Sequence, residues 1–182
     1  MSFGLRPPLP ESYWVLPGRF LAGEHPAQFG NPQDTERLDD LLNAGIDSFF
    51  DLTQPGELPA YVPLLQRQAG SRGIRVNYRS FPILDRGLPK PAQMLKILDS
   101  IDAALGVGQG VYLHCWGGVG RTGLTVGCYL VRHGRTGTEA LRQIAEWWRS
   151  VPKRRYHPRS PETPQQVKFV LDWREPPWTA NP

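Results

Sequence analysis

Gly110-Val111-Tyr112-Leu113-His114-Cys115-Trp116-Gly117-Gly118-Val119-Gly120-Arg121-Thr122-Gly123 sets one thiol and one guanidinium at the two ends of a glycine-rich five-residue loop. The apolar run Gly110 to Leu113 reads as a buried strand and Thr122 to His133 as a helix, so the loop joins a strand end to a helix N-terminus. Glycines let the chain bend back until successive backbone N–H groups point into one hollow, and such a hollow holds an anion. The unpaired N–H groups and the positive dipole end of the helix add to that pull. Trp116, Gly117, Gly118, Val119, Gly120 and Arg121 are therefore the expected phosphate cradle.

The same environment acts on Cys115. Helix N-termini and nearby cations favour a thiolate over a thiol, and the thiolate is the form that attacks. Arg121 offers a planar fork that matches two oxygens of a phosphoryl group, a geometry lysine lacks. The Thr122 hydroxyl is placed to donate to the thiolate when it leaves in a second step. His114 reads as a buried strand-end histidine whose ring bonds loop carbonyls, a supporting role. Trp116 reads as an outward wall of the site.

At these residues the chain resembles the cysteine-dependent protein tyrosine and dual-specificity phosphatases, whose shared pattern is His-Cys, five residues, Arg, then Ser or Thr. Within that superfamily the likeness is strongest to the group associated with cyclin-dependent kinases. It extends through Gly56-Glu57-Leu58, Tyr61 and Phe81-Pro82-Ile83-Leu84-Asp85. The resemblance implies a phosphatase-like α/β fold and a phosphomonoester hydrolase acting on phosphoproteins. Phosphotyrosine is the implied substrate, with phosphoserine and phosphothreonine beside it, and the reaction runs through a phosphocysteine. It makes Asp85, in a loop bracketed by prolines and a glycine, the acid that protonates the departing oxygen and then the base for water. One of Gln165 and Gln166 orients that water by the same likeness; the alternative is that Gln166 only caps the helix begun by Thr163-Pro164. Glu57 stands as an ion-pair partner of Arg121 or as a surface acid.

Other readings compete for the same residues. Gly118-Val119-Gly120-Arg121-Thr122-Gly123 also fits a dinucleotide fingerprint with Glu139 as the ribose acid, but Glu139 lies in a helical pattern where a strand end is needed. A solvated Asp85 paired with Arg86 is the plain alternative to a general acid. Cys128, inside the apolar run Leu124 to Val131, reads as a core residue more readily than as a resolving thiol. Phosphoinositide hydrolysis is the first rival function, although no lysine stands within Trp116 to Gly120. A catalytically silent phosphopeptide-binding module is the second, opposed by the retained Cys115, Arg121 and Asp85.

The 182 residues suit a single domain, expected over 13–174 between a flexible tail at 1–12 and another at 175–182. Asn31-Pro32 opens a helix with Leu38, Leu41 and Leu42 on one face, Ile46 to Leu52 reads as a strand, Pro59 to Ala69 as a helix and Ile74 to Tyr78 as a strand. A helix from Pro91 presents Met94, Leu95, Leu98, Ile101 and Leu105. After the loop come three helices, the second opened by Thr136-x-x-Glu139 with Leu141, Ile144 and Trp148 inward, the third carrying Val167, Val170 and Leu171. Such alternation implies an α/β fold with a central, mainly parallel sheet flanked by helices. Neither an apolar span of about 18 residues nor a secretory h-region is present, and two cysteines, one needed as a thiol, point to a reducing cytoplasm. The four histidines are scattered, so neither metal nor cofactor is expected. Net charge is +4, and Lys153, Arg154, Arg155 and Arg159 crowd one segment with Tyr156 and His157, a basic rim suited to phosphorylated partners and too short for nucleic acid.

Overall fold

The computed structural model of the chain describes residues 5–27 and 32–175. Among them, strands β1 (Ser12–Leu16), β2 (Phe20–Gly23), β3 (Ser48–Asp51), β4 (Asn77–Ser80) and β5 (Val111–His114) form one sheet in the order β1-β2-β5-β3-β4. β1 runs antiparallel to β2, and every other pairing is parallel. The expected mainly parallel α/β sheet is thus present, with one antiparallel edge.

Side-chain alternation along the strands divides the interior in two. Leu21, Phe49 and Tyr112 face α1 (Pro32–Asn43) and α2 (Val62–Gly70), through Leu38, Leu41, Leu42 and Leu65. Phe20, Phe50, Val111 and Leu113 face α3 (Pro91–Gly106), α4 (Gly120–Arg132), α5 (Gly137–Trp148) and α6 (Pro164–Asp172), through Met94, Leu98, Leu124, Ile144, Trp148 and Val170. Each fully buried Phe or Leu contributes about 1.5–3 kcal/mol. A one-residue slip of a strand would exchange the two interiors, so the register is fixed by burial on both faces.

Three expectations need correction, and the hairpin β1–β2 adds two strands that no alternating pattern in the sequence signals; they are short, and both faces are buried, so neither shows a clean alternation. Packing begins inside the expected 1–12 tail, where Leu9 is buried and its carbonyl accepts the Ser12 hydroxyl at 2.6 Å. The strand expected over Ile74–Tyr78 begins only at Asn77. Ile74 N–H instead closes α2 by donating to Ala69 O at 2.9 Å, across Gly73 at φ +67, so Ile74 belongs to a helix-terminating motif. In α6, Gln166 and Val170 are buried while Leu171 is exposed. The Asn31 cap and the tail after Glu175 lie outside the described residues.

Register positions the site. Gly23, His114 and Asp51 lie side by side across β2, β5 and β3, and Ser80 follows on β4. The segments leaving these four parallel strands all start at one edge of the sheet, the carboxyl edge, where such sheets bind ligands.

Candidate active site

Cys115 follows β5 directly and is almost wholly buried at 3% exposure. Around it, the carbonyls of the loop are held from outside. Trp116 O accepts His25 N–H at 2.9 Å, Gly117 O accepts Lys153 Nζ at 3.2 Å, and Val119 O accepts the Ser160 hydroxyl at 2.7 Å. By contrast, the N–H groups of Gly117, Gly118, Val119 and Gly120 donate to no acceptor among the described residues, and no side chain caps the first turn of α4. With these carbonyls engaged from outside and the donors left without acceptors, the loop is a ready anion cradle. Gly118 makes the fold-back possible. Its φ is +72, and a Cβ there would stand 2.5 Å from the Gly23 carbonyl carbon.

Arg121 is 2% exposed and reaches across the cradle to two other segments. Nη1 donates to Glu57 Oε2 at 2.8 Å and to Ile83 O at 3.1 Å; Nη2 donates to Glu57 Oε1 at 2.5 Å and lies 3.1 Å from Asp85 Oδ1. Burial is the largest influence on Glu57 and works against its charge, but the bonds from Arg121, the Gln54 N–H and the Arg121 charge together outweigh it and hold that carboxyl below the ordinary glutamate range. Glu57 is itself positioned by its turn, where Oε2 accepts Gln54 N–H at 2.8 Å. Of the two readings for Glu57, the ion pair is the one realised.

Asp85 sits on a turn closed by Gly87 N–H to Leu84 O at 2.8 Å, with its carboxylate 59% exposed. Arg86, next in line, has φ +58, a costly conformation for a residue with a Cβ, and its guanidinium meets Glu162 at 3.0 Å. Arg86 therefore pairs with Glu162, and the plain Asp85–Arg86 pairing is not formed. Gln166 is fully buried, caps α6 through Thr163, donates to Gly87 O at 3.2 Å and lies against Gly120, where a Cβ would come within 3.0 Å of its Oε1. Gln165 is exposed and borders a separate groove with Leu88 and Phe169. The loop and the Asp85 turn meet at Gln166, not at Gln165.

Behind the loop, His114 is wholly buried, with Nε2 at 2.7 Å from the Tyr61 hydroxyl and Nδ1 at 3.3 Å from Cys115 O. Burial pushes its pKa down, and His25, packed edge-on against it, is pushed down to about 3, by burial first and then by His114. Burial thus works against a positive charge on either ring. Thr122 is buried, and its hydroxyl donates to Gly23 O at 3.4 Å. Trp116 is 49% exposed at the rim, as expected of a wall.

The cleft above the loop encloses about 280 Å³ and is lined by Asp85, Trp116, Gly120, Arg121, Lys153 and His157, among others. Lys153 is tied to Glu24 at 2.6 Å, and it and His157 are the residues of the basic segment that line the cleft. Arg154 and Arg155 line a different groove. Glu24 and Gly23, which sequence reasoning missed, belong to the β2 end; the short apolar run Phe20-Leu21-Ala22 between glycines was the available signal. Glu139 completes the capping box of α5 with Thr136, which disposes of a ribose-binding acid. Cys128 is buried in the apolar core and its thiol is pushed up by burial, unlike a resolving thiol.

Comparison with known proteins follows this geometry. A family model described as "Swiss Army Knife protein, DSP-PTPase phosphatase domain" matches residues 10–170. The chain is 33% identical over 100 residues to cyclin-dependent kinase inhibitor 3 of Sus scrofa, covering 54% of this chain and 45% of that protein. It is 28% identical over 142 residues to the dual specificity protein phosphatase CDC14B of Mus musculus, covering 70% of this chain and 26% of that one. Each match spans less than half the length of the curated relative. Among solved structures, Tk-PTP in the active form superposes with a TM-score of 0.63 at 27% identity, covering 89% of this chain and 94% of its own.

Proposed function

The chain belongs to the DSP-PTPase family of phosphatases, and on that premise we propose that it hydrolyses phosphomonoesters on proteins through a phosphocysteine. One observation carries the reading: Arg121 and Asp85, from two separate loops, line one cleft with the loop that begins at buried Cys115, and Asp85 lies 3.1 Å from the Arg121 guanidinium. The thiolate of Cys115 attacks phosphorus in line, and the P–O bond to the leaving group breaks. Asp85 gives its proton to the departing oxygen. Arg121 and the N–H groups of Gly117 to Gly120, which have no acceptor among the described residues, hold the equatorial oxygens as charge spreads over them. Water then attacks the phosphocysteine, with Asp85 as base and Gln166 as the orienting amide. The Thr122 hydroxyl turns from Gly23 O to meet the departing thiolate.

Phosphotyrosine with phosphoserine and phosphothreonine is the substrate class this reading favours. Phosphoinositide hydrolysis is kept as a second reading by one observation: Lys153, absent from the loop in sequence, reaches it in space at Gly117 O. Release of inorganic phosphate from p-nitrophenyl phosphate, phosphotyrosine, phosphothreonine and phosphoinositides separates the two. Cys115→Ser abolishes release in every case. Asp85→Ala lowers kcat/KM on phosphoserine by roughly 10²–10⁴-fold and spares the aryl ester, whose leaving group needs less protonation. Equal losses on both esters would remove Asp85 from the acid role. No release from any of the four would leave a binding module.

A further inference from the structure

Across the short 3₁₀ turn at Pro152–Arg155, the molecule presents two unlike faces. Lys153 and His157 look into the catalytic cleft, whereas Arg154 and Arg155, with Arg149 and the rings of Pro152 and Pro158, line a second open groove of about 570 Å³. All three arginines are exposed. Arg149 has one solvent-exposed carboxylate near it, Glu146 at 3.4 Å; Arg154 and Arg155 meet none among the described residues. On the cleft side of the turn, by contrast, Lys153 is matched by Glu24 and Arg86 by Glu162. An arginine fork without a carboxylate is a recognition element for one brought by a partner.

We propose that this groove holds an acidic flank of the phosphoprotein substrate, reading Asp or Glu side chains on the same segment as the phosphorylated residue. The inference rests on the phosphatase reading of the cleft. A helical turn with its side chains is about 10 Å across. An extended peptide advances about 3.3–3.6 Å per residue, so a chain whose phosphate lies in the cleft crosses the turn in about three residues and runs along the groove to about the fifth. The chemistry favours a peptide over a polynucleotide. A nucleic-acid surface needs a continuous stripe, with roughly 6–10 phosphate contacts, whereas here Glu11, Glu24 and Glu162 interrupt the positive charge on the cleft side.

The test uses the full chain and two pairs of phosphotyrosine peptides, carrying either Glu or Gln three to five residues before or after the phosphotyrosine. The wild type is expected to favour one Glu peptide over its Gln partner by about three- to tenfold in kcat/KM, mainly through KM, with the preference shrinking as salt is raised. Arg154→Gln with Arg155→Gln is expected to abolish that preference while p-nitrophenyl phosphate turnover stays at the wild-type level, which also certifies the fold. The proposal is overturned if the wild type has no preference, or if the double variant keeps it. It is equally overturned if the variant loses binding to single-stranded RNA or phosphatidylserine vesicles while its peptide preference is unchanged. Absence of phosphate release from p-nitrophenyl phosphate by the wild type sinks the underlying phosphatase reading instead, a separate outcome from turnover without preference.

Discussion

Arg121 has five N–H donors, and its two Nη atoms are already engaged by Glu57, Ile83 O and Asp85. A phosphate entering the cradle must displace one of these, and exposed Asp85 is the partner that can leave. Its departure frees an Nη2 hydrogen, which with Nε–H forms the edge that grips two oxygens, while Glu57 keeps the guanidinium aligned. Loss of alignment should therefore follow from Glu57→Gln, which keeps one acceptor and removes the charge. A tenfold drop in kcat/KM is expected, together with a loss of about 1.5–3 kcal/mol in urea unfolding at neutral pH. The sign with pH is definite. Glu57 is held below its ordinary 4.5, so its contribution is whole above that pH and is lost as pH falls through the lower folded value. The stability difference between variant and wild type should accordingly narrow as pH falls below 4.5; a gap that does not change with pH in acid would mean that charge on Glu57 is not what holds Arg121. The Cys115 and Arg121 spacing was legible in the chain because both lie within one loop. The Glu57 partnership was legible only as one of two options, because 64 residues separate it from Arg121.

At the scale of elements, two glycines let the loop between β5 and α4 sit close to its neighbours. Gly118 lies against the end of β2, and Gly120 lies against Gln166 of α6. Gly118→Ala adds a Cβ at a positive φ, a cost of about 1–2 kcal/mol, and drives it to within 2.5 Å of the Gly23 carbonyl carbon. The loop must then move or β2 must. Loss of at least 10²-fold in p-nitrophenyl phosphate turnover with the far-ultraviolet circular dichroism unchanged is the expected result, since the cradle depends on a misplacement of less than about 1 Å. Retained turnover would show that the loop shape tolerates a shifted β2. Periodicity announced α1, α3, α4 and α5, whose apolar faces repeat over three or more turns. It failed for β1 and β2, whose four- and five-residue lengths give no pattern to read, and it misplaced β4 because Ile74 serves the end of α2.

For the molecule as a whole, the cradle is backed by two buried histidines in the interior. His25 has its pKa pushed from 6.5 to about 3 and His114 is also lowered, both chiefly by burial. As pH falls below 6.5, the unfolded chain takes up protons that the folded one refuses, so stability should decline by up to about 1.4 kcal/mol per pH unit for each histidine. Urea unfolding between pH 7 and pH 5 should show a falling midpoint, and His25→Asn, whose amide oxygen can accept the Ala27 N–H that now bonds Nδ1, should flatten the slope. A midpoint independent of pH over that range would mean that neither ring resists protonation. The sequence by itself determined the α/β class and singled out Cys115, Arg121 and the Asp85 turn as candidates, because each of these is written in a contiguous stretch whose chemistry is local. Only the tertiary structure decided which glutamine meets the loop, that Lys153 approaches it while Arg154 and Arg155 turn away, and that Glu57 pairs with Arg121. Those are relations between segments brought to one edge of a parallel sheet by strand order, and a sheet's order is set by burying both of its faces at once.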